Sequence, residues 1–260
     1  MVSLFDRFVR ACWFAFCLLG LAAVSAACTS SGAADDAVPL YAYHLKPPFI
    51  IDEDKRLGLY YDFASYINAK RGYSALHTEY RPRKRLDIEV AKSDFSGLVI
   101  GVNPLWFGDK DRTKYLWTPV LMHDRDEVVS RLDRPVDYQE PHSLRGMVVG
   151  LPRGYYYFGI DELVAQGLLV REDVDSELQC LQQLERGRIM AAVVSRSTLD
   201  YLRNIEQYQP NIYISQKPHD DFDRFVLVSH KQQAIYDWLV PLMKKLPSDP
   251  DWQKILARYR

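Results

Sequence analysis

Hydrophobic and polar positions along the chain switch repeatedly between the two-residue period of a strand and the longer period of a helix. Residues 38–43 alternate as a strand. Residues 62–70 carry an apolar face through Phe63, Tyr66 and Ile67 before Gly72, the pattern of a helix with a glycine stop. The run 95–102 is short, nearly uncharged and β-rich, as expected of a buried parallel strand. A second set then begins with strand 147–150, helix 160–166 stopped by Gly167, and strand 168–171. Ser176, with Gln179 three residues on, offers a capping box for a helix that Gly187 closes. Strand 189–194, helix 198–207 and strand 212–215 follow. The chain ends in helix 233–245 and a last helix opened by Asp249-Pro250, a cap followed by proline at the first helical position.

Strands separated by helices predict parallel α/β sheets, and two such sets predict two lobes. Two runs are suited to cross between them, EVVSR at 127–131 and RFVLVS at 224–229. A chain that leaves a lobe and returns to it would use paired strands as a hinge, with the ligand in the cleft between lobes.

The N-terminal pattern is different. Arg7 and Arg10 precede an apolar heart from Ala11 to Val24, and small residues follow at Ser25, Ala26 and Ala27. That is the layout of a secretory signal peptide, short of the roughly 20 apolar residues a membrane span needs. Cys28 after Ala27 matches a lipoprotein signal, although Ser25 stands where an aliphatic residue is usual, so lipid anchoring through Cys28 and simple secretion both stay open. Residues 28–37 read as a flexible spacer.

Composition narrows the function classes. Hydrophobic residues make up 48% and charged residues 26%, ordinary for a globular protein. A formal net charge of −1 supplies no drive toward nucleic acid or anionic membrane. The basic run Arg81 to Arg85 reads as a solvated loop and helix start. Of four cysteines only Cys180 lies in the body, among Leu178, Leu181 and Leu184, a helix-core position and not a nucleophile. There is no dinucleotide fingerprint, P-loop, HExxH, GxSxG or CxxC. His219 with Asp220, Asp221 and Asp223 is the one cluster resembling a metal site, and it reads as an acidic loop. No cofactor, metal or catalytic residue is expected.

Several short motifs, in order, resemble those of the bacterial extracellular solute-binding proteins of family 3, the polar amino-acid type. They are Pro47-Pro48-Phe49 after the first strand, Gly58 to Ala64 (GLYYDFA), Asp109 to Arg112 leading to Trp117-Thr118-Pro119, Ser143 to Gly150 (SLRGMVVG), and Leu184 to Arg188 (LERGR). The resemblance runs from about Val38 to the end. It implies a two-lobed periplasmic-binding-protein-like fold of type II, each lobe a mostly parallel sheet flanked by helices, joined by two hinge strands. The division it suggests is signal 1–27, spacer 28–37, lobe one 38–127, hinge strand 128–131, lobe two 132–223, hinge strand 224–229, and lobe-one helices 230–260.

The function implied is a monomeric periplasmic protein that captures a small polar, carboxylate-bearing solute and hands it to an ABC permease. Arg112 matches the arginine that holds a substrate carboxylate, where a guanidinium offers two parallel charge-assisted bonds. Asn103 and Trp106 match the first-lobe loop that touches ligand. Tyr43 and His44 end the first strand at its carboxyl edge, where open parallel sheets place ligands. The departures lie in lobe two. Ser195 stands where amino-acid binders carry an aspartate for the ligand ammonium, and Gly154-Tyr155 replaces a Gly-Ser/Thr turn. Tyr155, with Arg153 beside it and Arg196 near the same edge, weakens the case for an ordinary α-amino acid and suits an anionic or aromatic ligand. A ligand-sensing receptor for a signalling partner and a dehydratase-like enzyme on the same scaffold remain alternatives.

Overall fold

A computed structural model describes residues 37–260. The signal tract, Cys28 and nearly all of the spacer lie outside the described residues. Among the described residues no helix is long and apolar enough to cross a membrane.

Two sheets share one strand. The first contains β1 (Val38–Ala42), β2 (Leu76–Tyr80), β3 (Leu98–Val102) and the short β4 (Leu116–Trp117), with β1 parallel to both β2 and β3. The second contains β5 (Met122–Arg131), β6 (Val148–Pro152), β7 (Val170–Val174), β8 (Ala191–Ser195) and β9 (Ile212–Ile214), with β6 parallel to β7 and β8. Strand β10 (Asp220–Val228) belongs to both. Its first half pairs antiparallel with β5 from Asp220 to Arg224, and its second half pairs with β3 and β4 from Phe225 to Val228. The pairing changes sheets between Arg224 and Phe225.

Helices cover each sheet on both faces, as buried parallel strands require. One face of the first sheet packs against α1 (Leu59–Arg71), α6 (Gln233–Lys245) and α7 (Pro250–Leu256) through Phe63, Ile67, Leu239 and Trp252. The other meets α2 (Arg83–Val90) through Leu86 and Val90. In the second sheet, α3 (Ile160–Ala165) covers one face and α4 (Glu177–Glu185) with α5 (Arg196–Asn204) the other. The caps follow the sequence. Ser176 Oγ accepts from Gln179 N at 3.1 Å, and Asp249 accepts from the backbone of Asp251 and Trp252 ahead of α7. Cys180 is free and fully buried in α4, where burial pushes its thiol pKa up, away from nucleophile activation.

Strands β5 and β10 begin several residues before the apolar runs EVVSR and RFVLVS. The extensions, Met122 to Asp126 and Asp220 to Asp223, are rich in charge and carry little apolar signal, yet they pair with each other along their length. Strand β2 is also absent from the sequence reading, which has only the start of helix α2, in the basic run; α2 buries only Leu86 and Val90, too little to mark a helical face.

Gly101 in β3 has a φ of 76°, and a Cβ there would sit 1.7 Å from Tyr60 Oη. Both the backbone conformation and the close approach demand glycine. Gly101→Ala should cost more than about 2 kcal/mol, lowering Tm by roughly 5 °C or more. A thermal melt indistinguishable from that of wild type would contradict this packing.

Candidate functional site

The place where β10 changes sheets is built around a charge. Arg224, 1% exposed, donates from Nε and a terminal nitrogen to Asp124 Oδ2 at 3.0 and 2.8 Å. Its other terminal nitrogen lies 2.9 Å from both the Gly101 carbonyl and His44 Nε2. The guanidinium lies over the rings of Phe49, Phe222 and Trp106, at 4.6, 5.0 and 5.5 Å. Burial works to raise the Asp124 pKa, but Arg224, Lys46 and hydrogen bonds from Arg224 and Ser197 outweigh it and hold the carboxyl below its usual range. Burial first, then Arg224, Lys46 and Arg83, depress His44 well below a normal histidine. The ring is therefore neutral, and since a guanidinium can only donate, Nε2 accepts. That leaves Nδ1–H buried with no partner among the described residues.

Beside this centre the two sheets' loops touch. Lys46, in the loop after β1 and 8% exposed, reaches Glu177 Oε1 at 2.5 Å and also bonds Ser195 Oγ. Glu177, at the start of α4, is 2% exposed; it accepts from Ser195 N at 3.2 Å and Ser195 Oγ at 3.0 Å. Asp126 Oδ1 is 3.4 Å from the same hydroxyl. Two more bonds flank Lys46 across the contact: Tyr155 Oη donates to the Tyr43 carbonyl at 3.2 Å and Thr198 Oγ1 to the Pro47 carbonyl at 2.7 Å.

An open cavity of about 310 Å³ lies on the other side of Arg224, lined by Asn103, Trp106, Arg112, Asp220, Phe222 and Phe225 among others. Its size falls at the lower end of small-molecule sites. Arg112 is exposed, has a φ of 55° and lies 4.7 Å over the Phe225 ring. Asp109 organises the loop that carries it, accepting from the backbone of Thr113, Lys114 and Tyr115 and from Trp117 Nε1. Asn103 caps the turn after β3 through Leu105 N and donates to the Asp223 carbonyl at 3.0 Å.

The sequence-selected residues thus fall into two adjoining groups. Tyr43, His44, Tyr155 and Ser195 meet at the contact between sheets, with Tyr43 stacked on His44 at 3.9 Å and 5.8 Å from Tyr155. Asn103, Trp106 and Arg112 line the cavity. Arg83 links the groups, bonding Tyr43 Oη at 3.1 Å and the Trp106 carbonyl at 2.7 Å, so part of the basic run is not simply solvated. Arg153 joins neither; it is exposed and lies 3.7 Å from Asp175. Arg196 is tied to the buried Glu127 at 2.9 Å. His219 bonds Tyr138 Oη at 3.1 Å, and among the described residues no group of three His, Cys, Asp or Glu is arranged to hold a metal. Sequence reasoning missed Lys46, Asp124, Asp126, Glu177 and Arg224. Their only sequence signal is a charge inside or beside an apolar run, and strand register is needed to pair them.

Burial pushes Asp126 up to about 7, against the pull of Lys46 and Arg224 and with help from Glu177 and Asp124. The folded protein therefore holds this proton more tightly than the unfolded chain, where an aspartate titrates near about 3.9. Ionising Asp126 costs stability increasingly as pH rises from about 4 to about 7. His44 works oppositely: held neutral in the fold, it costs stability as pH falls below about 6.5. Asp126→Asn isolates the first effect. Relative to wild type the variant should gain stability between pH 5 and pH 8, with a slope of at most about 1.4 kcal/mol per pH unit, measured by urea unfolding. A difference that stays constant across this range would contradict a raised Asp126 pKa.

No protein-family model and no curated protein sequence matches the chain. Solved structures do. Holo ArgBP from T. maritima matches with 16% identity over 87% of this chain and 97% of its own, at a TM-score of 0.60. The substrate-binding protein of an amino acid ABC transporter matches with 18% identity over 86% and 98%, at 0.59. The GluR0 ligand-binding core in complex with L-glutamate matches with 13% identity over 86% and 97%, at 0.64. At these identities the likeness is one of fold: the chain has the two-lobed α/β architecture of the periplasmic-binding-protein type.

Proposed function

We propose that the chain is an exported solute-binding protein of the family 3 type, which takes a small carboxylate-bearing solute between its lobes and presents it to an ABC importer. The observation that carries this reading is the junction itself. Strand β10 passes from the second sheet into the first, paired with β5 along its first half, and Asn103, Trp106 and Arg112 line a cavity directly beside the crossing. A hinge made of two strands can let the lobes move while Asn103, Trp106 and Arg112 stay fixed on the first lobe. Lobe one is residues 38–127 with 230–260, lobe two is 132–223, and 128–131 and 224–229 join them.

Within the cavity each residue type has work to do. Arg112 supplies the fork for a carboxylate, Trp106 a flat apolar wall, and Asn103 an amide. The structural neighbours that bind amino acids, ArgBP and the GluR0 core, support a ligand of this size. No observation favours catalysis or signalling over binding.

A thermal-shift screen of amino acids, small dicarboxylates, aromatic acids and polyamines on the exported form tests the reading, because a ligand that binds only the folded state raises Tm. At least one carboxylate should raise it. Arg112→Ala should then weaken that ligand by on the order of 30- to several-thousand-fold, the cost of losing a charge-assisted pair in a closed cleft. The ligand-free Tm should hardly change, because the Arg112 side chain is exposed. Full affinity in Arg112→Ala would show that this arginine does not hold the ligand.

A further inference from the structure

Among the described residues, Lys46 is the one basic side chain that crosses from the first sheet's loops to bond the buried Glu177 of the second lobe. Its ammonium is nearly lost from solvent, held by Glu177 and Ser195, with Asp126 beside the same hydroxyl. The rings of Phe49 and Tyr155 lie 5.9 and 5.8 Å from it. The backbone on either side is fixed to the second lobe by the Tyr155 bond to Tyr43 and the Thr198 bond to Pro47. An ammonium buried this deeply is tolerated only where carboxylate and hydroxyl acceptors replace its water.

We propose that Lys46 is a built-in latch cation and a specificity determinant: it closes the cleft onto Glu177 and Ser195 in place of a ligand ammonium, so the site favours carboxylates that lack an amino group. The proposal rests on the solute-binding reading for its ligand consequence. Its physical basis is charge. An amino group directed at Glu177 or Asp126 meets Lys46 already there, and two ammonium groups facing one pair of acids in a buried site repel strongly. A solute that directs no amino group there leaves the latch closed. The other groups facing the latch are accounted for: Arg224 is committed to Asp124, and Arg196 to Glu127.

The test has two arms, each run on wild type, Lys46→Met and Lys46→Arg. Methionine keeps much of the apolar stem and removes the charge together with the N–H donors that bond Glu177 and Ser195. In the first arm, spin labels at Ile88→Cys and Val170→Cys, exposed positions on opposite lobes, report the distance between lobes in ligand-free protein. Lys46→Met should lengthen or broaden that distance, and Lys46→Arg should restore it. In the second arm, calorimetry compares matched pairs with and without the amino group, glutamate against glutarate and phenylalanine against 3-phenylpropionate. Wild type should prefer the deamino partner, and Lys46→Met should shift the preference toward the amino acid by about tenfold or more. An unchanged interlobe distance in Lys46→Met overturns the latch, and so does a pair preference that Lys46→Met leaves alone. If no carboxylate binds any variant, the solute-binding reading falls, while the spin-label distance still decides the latch.

Discussion

The buried pair between Arg224 and Asp124 is the constraint on which the rest of the molecule depends. It sits where β10 leaves one sheet and enters the other, a hundred residues from its partner in sequence, with almost no access to water. A pair buried this far gains little net stability over apolar side chains of the same size. Removing one partner, by contrast, typically costs about 3–5 kcal/mol, because the other charge is stranded. What the pair does supply is position. Its two bonds to one carboxylate oxygen and its third nitrogen on Gly101 and His44 fix the crossing point of the strand against both sheets at once.

The neighbouring chemistry follows from that fixed charge. Burial and then the Arg224 charge hold the His44 pKa well below that of an ordinary histidine. Phe49, Trp106 and Phe222 crowd the guanidinium faces, and through Trp106 and Phe222 the same charge shapes one wall of the cavity. On the opposite side, Lys46 enters the acidic ground of the second lobe and meets Glu177 and Ser195. A row of basic groups, Arg112, Arg224 and Lys46, thus runs from the open cavity into the contact between lobes, each with a different partner: an aromatic face, a buried aspartate and a buried glutamate.

Much of the fold was legible in the sequence because its signals are local. The uncharged run of β3, the Ser176 cap of α4 and the helix Gln233–Lys245 each depend on residues within a few positions of one another. Strand β2 alternates only weakly, and α2 is mostly polar, so neither carried a period to read. The candidate site divides in the same way. Asn103, Trp106 and Arg112 come from one short stretch and can be recognised as a motif. Lys46 and Glu177 are 131 residues apart, and Arg224 and Asp124 are 100 apart; no spacing announces such pairs before the sheets form. The serine at 195 was visible as a missing acid, but the acids that surround it, Asp126 and Glu177, come from other elements.

The central claim is that β5 and β10 form a hinge across which two lobes close on a small solute. Small-angle X-ray scattering of wild type and Lys46→Met, each with and without a saturating ligand from the thermal-shift screen, tests it most directly. The account predicts a smaller radius of gyration with ligand in Lys46→Met, where the lobes are no longer latched, because closure brings them together. Wild type, which Lys46 already holds closed, should change little. A Lys46→Met radius that does not change at saturation would contradict the clamp and leave the junction at Arg224 a rigid joint.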